Sequence, residues 1–286
     1  MVDSEKGAPP PYNVGYPPQG YSAQGYGTQG YQAPPPASLP PGENISGYYH
    51  GTSDSPEDSL FQSGRGFDDV NIRNGFIRKV YAILFMQFGI TSIFCMIFCI
   101  SEKAKDWCQT PQANAFMWAN LAILIVTEIA LICCEGVRRK SPLNLIVLGV
   151  FTVSMSFFVG IVASTYEPEA VLAAAGTTAL IVLALTIFSF QTKWDFTGSA
   201  PYLFVILIIF IIFGIFASIF NSEVVNIVYA SIGVLIFSLY LVYDTQLLIG
   251  GKKYQLNEEE YVFAALSIYI DVIQIFLYLL ELFGRR

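Results

Sequence analysis

Polar and apolar positions divide this chain unevenly. Up to about residue 66 the positions are polar or small. From Phe67 onward long apolar runs alternate with short polar stretches, over about 80–101, 114–134, 143–165, 169–190, 200–220, 225–249 and 261–283. Each run is close to the ~20 residues an α-helix needs to cross ~30 Å of hydrocarbon. The connections are short, so consecutive helices pack as antiparallel neighbours. Pro142, Pro168 and Pro201 fall at the starts of runs, where a missing N–H does no harm, and none lies deep inside one. The pattern predicts an all-α membrane protein with two parts, a tail over residues 1–66 and a domain of seven transmembrane helices over residues 67–286.

The tail reads differently. Residues 1–64 hold eleven of the fifteen prolines, ten glycines and seven tyrosines, with few aliphatic side chains. Such a segment buries too little apolar surface to offset the entropy of ordering, so a disordered tail is expected. A five-residue repeat, QGYSA–QGYGT–QGYQA, runs from Gln19 to Ala33. Pro9, Pro10, Pro11 and Tyr12 form Pro-Pro-x-Tyr. That pattern resembles the ligands of WW domains, which read a polyproline helix and one aromatic ring. The start lacks the charged and apolar regions of a cleaved signal peptide, so the first span is expected to act as an uncleaved anchor.

Composition sharpens the class. Hydrophobic residues are 54% of the chain and charged ones 13%, against about 25% charged in soluble domains. The net charge is −7, but residues 1–64 carry one base, Lys6, against six acids, so the acidity belongs mostly to the tail. No basic patch with interleaved aromatics is present, which argues against nucleic acid as a partner. The lipid bilayer is the partner that the composition implies. The one histidine, His50, lies in the tail, and the five cysteines have no metal-type spacing, so a His/Cys metal site is not expected. Cys133 and Cys134, beside a basic loop, are candidates for palmitoylation.

The bases set an orientation. With a cytosolic N-terminus, the inside segments carry Lys6, Arg65, Arg73, Arg78, Lys79, Arg138, Arg139, Lys140, Lys193, Lys252 and Lys253. The outside segments carry only Lys103, Lys105, Arg285 and Arg286. The expectation is therefore a cytosolic N-terminus, with the Asn44-Ile45-Ser46 sequon unmodified.

Within the runs there is no lysine, arginine or histidine, and apart from Glu169 at the very start of the fourth there are four acids: Glu128, Asp244, Asp271 and Glu281. An acid at mid-helix costs roughly 2.5–3.5 kcal/mol on insertion scales and marks a functional candidate. Glu281 is near a span end and reaches headgroups. Counting at 1.5 Å per residue, Asp244, Asp271 and Glu128 lie roughly 8, 15 and 9 Å from the cytosolic face. A short loop joins the spans that bear Asp244 and Asp271, so these two can meet. Two carboxyls in contact at low dielectric cannot easily both ionise, and they titrate as a unit. Such a pair suits a proton-sensitive gate, a cation site, or the water-activating dyad of an aspartyl protease. Arg138 and Arg139 sit at the mouth of the second span and can reach inward along their stems.

The segment from Tyr243 to Phe283 resembles the closing signature of the transmembrane Bax inhibitor motif-containing family. That signature has an aspartate after an aromatic in span six, then an acidic loop, then A-A-x-x-x-Y-x-D. Here these are Asp244, Glu258–Glu260, Ala264, Ala265, Tyr269 and Asp271. Glu128, the turn from Arg138 to Asn144, and Phe67-Asp68 followed by Arg73, Phe76 and Arg78 also match. The Pro/Gly/Tyr-rich tail resembles the lifeguard branch, glutamate-receptor-associated members included. The resemblance implies six helices around a central seventh. It implies a pH-sensitive calcium leak channel of intracellular membranes, which lowers stored calcium and opposes apoptosis, with Golgi or endoplasmic reticulum favoured over endosome or plasma membrane. It assigns Asp244 and Asp271 as the pH-sensing pore pair, with weak calcium coordination there, and Glu128, Arg138 and Arg139 in support. It implies no enzyme activity and no resident cofactor, calcium being the transported ion, and it admits apoptosis regulators as partners.

Two other readings stay open at this point. A non-conducting anti-apoptotic scaffold acting through partners fits the same composition. An intramembrane aspartyl protease would share Tyr243-Asp244. It would place its second aspartate in Gly-x-Gly-Asp, whereas Asp271 follows Tyr269-Ile270, and its Pro-Ala-Leu element is missing. A retinal protein would need a lysine in a span, and there is none.

Overall fold

The computed structural model describes residues 56–284 apart from Asn221, with side chains from Val70 onward. The Pro9–Tyr12 motif, the Asn44 sequon and the rest of the expectations about the tail fall outside the described residues. Nine α-helices occur among the described residues: α1 (Pro56–Ile100), α2 (Glu102–Cys108), α3 (Pro111–Cys133), α4 (Glu135–Arg139), α5 (Leu143–Ser164), α6 (Pro168–Gln191), α7 (Ala200–Phe220), α8 (Glu223–Ile249) and α9 (Tyr261–Phe283). Single 3₁₀ turns at Thr197–Ser199 and Glu258–Glu260 lead into α7 and α9.

Seven helices are long and apolar enough to span a bilayer: Val70–Ile100, Pro111–Cys133, Leu143–Ser164, Pro168–Gln191, Thr197–Phe220, Glu223–Ile249 and Glu258–Phe283. The first begins ten residues earlier than its apolar run, because the helix continues beyond the membrane. At 1.5 Å per residue its 31 residues reach about 46 Å. The extension is held by Phe76 and Val80, both buried. Helix starts follow their local signals. The Thr110 side chain caps α3 by accepting from the Ala113 N–H at 3.3 Å, and Pro111 and Pro168 open α3 and α6.

The spans alternate in direction and define two ends. The near end carries Val70, Cys133, Leu143, Gln191, Ile249 and Tyr261. The far end carries Ile100, Pro111, Ser164, Pro168, Phe220 and Phe283. α9 stands at the centre, with 67% of its apolar window buried against 11–50% for the other spans. It packs against α1, α5, α6 and α8 together, whereas α3 only grazes it. α7 reaches it through the Phe210–Tyr278 ring contact at 5.7 Å. The outward faces are apolar, Phe85 and Trp118 among them, while Gln87, Thr91, Asn120, Asn144, Thr152, Ser156 and Asp271 are buried. Apolar surface outside and polar groups inside is the arrangement that a lipid solvent selects.

Candidate functional site

The α8–α9 seam carries the acid pair. Asp244 lies in the last two turns of α8, flanked by buried Leu241 and Leu248, and Asp271 lies at mid-length of α9, itself buried. Their side chains lie close enough to each other to interact directly. Both are acceptors when ionised, so a hydrogen bond between them requires a proton held between facing oxygens. Asp271 Oδ2 is buried with no hydrogen-bond partner among the described residues. Tyr240, one turn before Asp244, is in electrostatic contact with both carboxyls.

On the far side of the pair the seam is filled by aromatic rings. Tyr278 packs over Gly233, where an added Cβ would lie 2.7 Å from the ring, so only glycine lets α8 approach this closely. Around Tyr278 stand Tyr229 and Phe237, with ring centroids 5.7 and 5.9 Å away, and Phe210 stacks on Tyr229 at 4.4 Å.

On the near side the seam is closed by charges. Arg138 Nη2 and Arg139 Nη2 donate to Glu260 Oε1 at 3.0 and 3.2 Å, and Arg139 Nη1 pairs with Glu135 at 2.6 Å. Arg138 also covers the Phe263 ring at 5.3 Å. The hydrogen bond from Arg139 to Glu260 pushes the Arg139 guanidinium above its ordinary range. These contacts correct the expectation that an arginine steadies the aspartates. Glu260 lies eleven residues before Asp271 on the same rod, about 16 Å along the axis, and it takes up both arginines.

Glu128 keeps the interior face of α3, in register with buried Asn120, Leu124 and Leu131, and is half-buried. No hydrogen bond or ion pair reaches its carboxylate among the described residues, and it does not join the pair. No group of three His, Cys, Asp or Glu side chains converges as for a metal ion among the described residues.

Three further elements have contacts that the sequence does not foretell. Arg73 donates from Nη2 to Leu247 O at 2.7 Å, from Nε to Ile249 O at 3.1 Å and from Nη1 to Leu256 O at 2.6 Å, and it pairs with Glu258 at 3.5 Å. It thereby satisfies carbonyls that the end of α8 leaves open. Gly250, at φ +77°, turns the chain there. Secondly, the connections after α6 and α8 are woven together. Asp195 accepts from the Thr197 hydroxyl at 2.6 Å and the Lys253 N–H at 3.1 Å, while Gln246 accepts from the Phe196 N–H and donates to Trp194 O. The Thr197 hydroxyl, with the Lys253 N–H behind it, holds the Asp195 carboxyl below the usual range. Thirdly, the opposite face of α9 carries buried Tyr269, whose hydroxyl meets Thr91 Oγ1 at 2.7 Å. Thr91 in turn meets Ser156 Oγ at 3.0 Å, and Gln87 donates to Thr152 Oγ1 at 3.0 Å.

Comparison with known proteins adds a family. Residues 73–286 match the family model described as inhibitor of apoptosis-promoting Bax1. The chain is 37% identical over 257 residues to protein lifeguard 3 of Homo sapiens, covering 88% of this chain and 80% of that protein. It is 36% identical over 293 residues to protein lifeguard 3 of Mus musculus, covering 98% and 94%. It is 33% identical over 217 residues to protein LIFEGUARD 4 of Arabidopsis thaliana, covering 74% and 85%.

Proposed function

The chain belongs to the Bax inhibitor-1 family of membrane proteins, and on that premise we propose that it is a pH-sensitive calcium leak channel that lowers stored calcium and opposes apoptosis. The observation that carries this reading is the close Asp244–Asp271 pair, at the seam where the middle of the central helix presents a carboxyl to α8. The pair sits between an aromatic plug and an arginine–glutamate closure, which describes a shut path with a protonatable contact in the middle. Loss of the shared proton sets two negative charges side by side. That breaks the contact and leaves oxygens that attract Ca²⁺. A hard cation takes six to eight oxygen ligands. Two carboxylates with water and backbone hold it weakly, as a leak requires.

In this reading the near end faces the cytosol, consistent with its basic residues. Golgi or endoplasmic reticulum is the compartment, and Tyr12 offers the tail to WW domains. Glu128 serves as a second carboxylate along the ion's route, with Arg138 and Arg139 acting on the near closure.

Calcium efflux from liposomes holding the purified full chain, measured across pH, tests the proposal. Asp244→Ala with Asp271→Ala is expected to abolish the pH response. Flux and pH response unchanged in that variant would overturn the assignment. A folded wild type with no flux at any pH would leave the non-conducting scaffold instead.

A further inference from the structure

The outer helices do not close into a ring between α1 and α6. A groove of about 380 Å³ lies there, walled by Tyr81, Phe85 and Phe88 of α1 and Thr186 of α6, and floored by Thr245 of α8 and Val272 of α9. Its volume is that of a small-molecule site. Phe85 on the rim is 81% exposed, while Thr245 and Val272 on the floor are 1% and 8% exposed. The groove therefore opens sideways, at the depth of the spans, toward hydrocarbon.

Two bases stand at its near end. Arg78 precedes Tyr81, Phe85 and Phe88 by three, seven and ten residues, so it shares their stripe of α1. Lys193 follows the end of α6 by two residues. Both are exposed, and neither has a hydrogen bond, ion pair or ring contact among the described residues. Five other bases of that end are taken up by the protein: Arg73 by three carbonyls, Arg138 and Arg139 by Glu260, Lys79 by the Tyr261 ring and Lys252 by Thr192 O; Lys140, without such a partner among the described residues, stands on the turn before α5, which does not line the groove.

We propose that this groove and its two bases form a binding site for one anionic phospholipid, with an acyl chain in the groove and the phosphate between Arg78 and Lys193. The charge complementarity is specific, because guanidinium and ammonium groups at headgroup depth attract anionic lipid, and a guanidinium can hold phosphate through two parallel bonds. The geometry agrees with it. From Arg78 the axis descends about 4.5 Å to Tyr81 and about 15 Å to Phe88, as a lipid descends from phosphate to chain. An apolar void at this depth loses packing contacts along its whole lining unless a chain fills it. The floor gives the site a consequence: Thr245 follows Asp244 and Val272 follows Asp271, so a bound chain packs beside the acid pair.

Native mass spectrometry of the full chain, released from nanodiscs of mixed phosphatidylglycerol and phosphatidylcholine, tests the site without reading calcium flux. The expected result is one retained phosphatidylglycerol. R78Q with K193Q should weaken that preference about twenty-five-fold, the product of about fivefold for each base beside an anionic headgroup. K103Q with K140Q, an equal loss of charge away from the groove, should leave it intact. Thr186→Trp, which fills the groove and keeps both bases, should abolish retention. Trp194 adjoins Lys193 and is 73% exposed. In a variant with Trp107 and Trp118 replaced by Phe, it should be quenched by chain-brominated phosphatidylglycerol more than by the phosphatidylcholine equivalent. Equal retention of both lipids by the wild type, equal loss in K103Q/K140Q, or unchanged retention in T186W would each overturn the proposal. So would displacement by inorganic phosphate, which marks a free-anion site, or a dimer lost in T186W, which marks a second copy in the groove.

Discussion

Arg138 donates to Glu260 at 3.0 Å and turns its back on Asp271. Both acids lie on one rigid rod, α9 with the 3₁₀ turn that leads into it, so an arginine at the near end of α3 must choose a depth. It takes the shallow acid at the near end and leaves the deep pair without an ion pair among the described residues. The central helix thus has a charged closure at its start and a buried acid pair at its middle.

Glu260→Gln tests that division. It leaves two guanidiniums without their shared carboxylate in a partly buried position, with side-chain exposures of 19%, 35% and 12% for Arg138, Arg139 and Glu260. A cost of about 1–3 kcal/mol is expected, below that of breaking a fully buried pair. Denaturant unfolding in micelles measures it. Arg138→Gln should cost a similar amount, and the double variant little more than either single change. Independent, additive costs would show that the two side chains do not act together.

Tyr269→Phe removes the hydroxyl that meets Thr91 and leaves Thr91 and Ser156 bonded to each other. Interhelical hydrogen bonds in membranes average about 0.6 kcal/mol and reach about 1.7, so a loss of about 1 kcal/mol is expected. Thr91→Val should cost more, because Tyr269 and Ser156 then both lose their contact with Thr91, although Ser156 keeps its bond to Thr152 O at 2.7 Å. The same unfolding measurement ranks the two variants, and the reverse order would break the assignment.

The spans were legible because the bilayer dictates them: about 20 apolar residues leave little freedom, and Pro142, Pro168 and Pro201 mark where helices begin. The acid pair was legible because a carboxyl within a span is costly and only two such groups lie on helices joined by a short loop. What was not legible depends on side-chain reach. Arg138 faced several acids, and Glu260 sits in a Glu258–Glu260 run that reads as a solvated loop. Arg73 finds its carbonyls 174 to 183 residues away. Thr91, Ser156 and Gln87 are commonplace in spans, and only the packing of α1 and α5 on α9 brings them together. The short helices α2 and α4 fall below the length at which periodicity speaks.

Arg73→Lys should loosen the end of α8. One ammonium cannot reach three carbonyls that a planar fork reaches together. Faster hydrogen exchange is expected at the Gly250 and Leu256 amides, which donate to Gln246 O and Leu247 O, with α5 unaffected. Gly250→Ala should act in the same place by another route. Its φ of +77° disfavours a side chain, and the added Cβ would meet Gln255 at 2.7 Å and Arg73 at 2.9 Å. Unchanged exchange in both variants would remove Arg73 from its capping role.

The Asp195 tie has a defined pH window. Thr197 and Lys253 hold its carboxyl below the usual range. A depressed folded value means that the contribution is complete above the unfolded value of about 3.9 and is lost as pH falls through the lower folded value. The stability difference between wild type and Asp195→Asn should therefore be flat from weakly acidic to weakly basic pH and shrink only below about pH 4. Thermal unfolding of both proteins across pH checks this. A difference that changes near neutrality would mean that another group titrates against the tie.

The acid pair itself separates contact from charge. Asp271→Asn keeps the shape and supplies a permanent N–H donor to Asp244, so the seam holds without a shared proton. Asp271→Ala removes the partner and leaves Asp244 alone in the seam. If the pair gates by its proton, the Asn variant should stay shut and lose its pH response, while the Ala variant leaks at every pH. If the carboxyls serve only to attract the ion, both variants should lose flux together and keep the wild-type pH profile. Calcium efflux from liposomes at several pH values distinguishes the two patterns, and a profile identical to wild type in both variants would take the gate away from this seam.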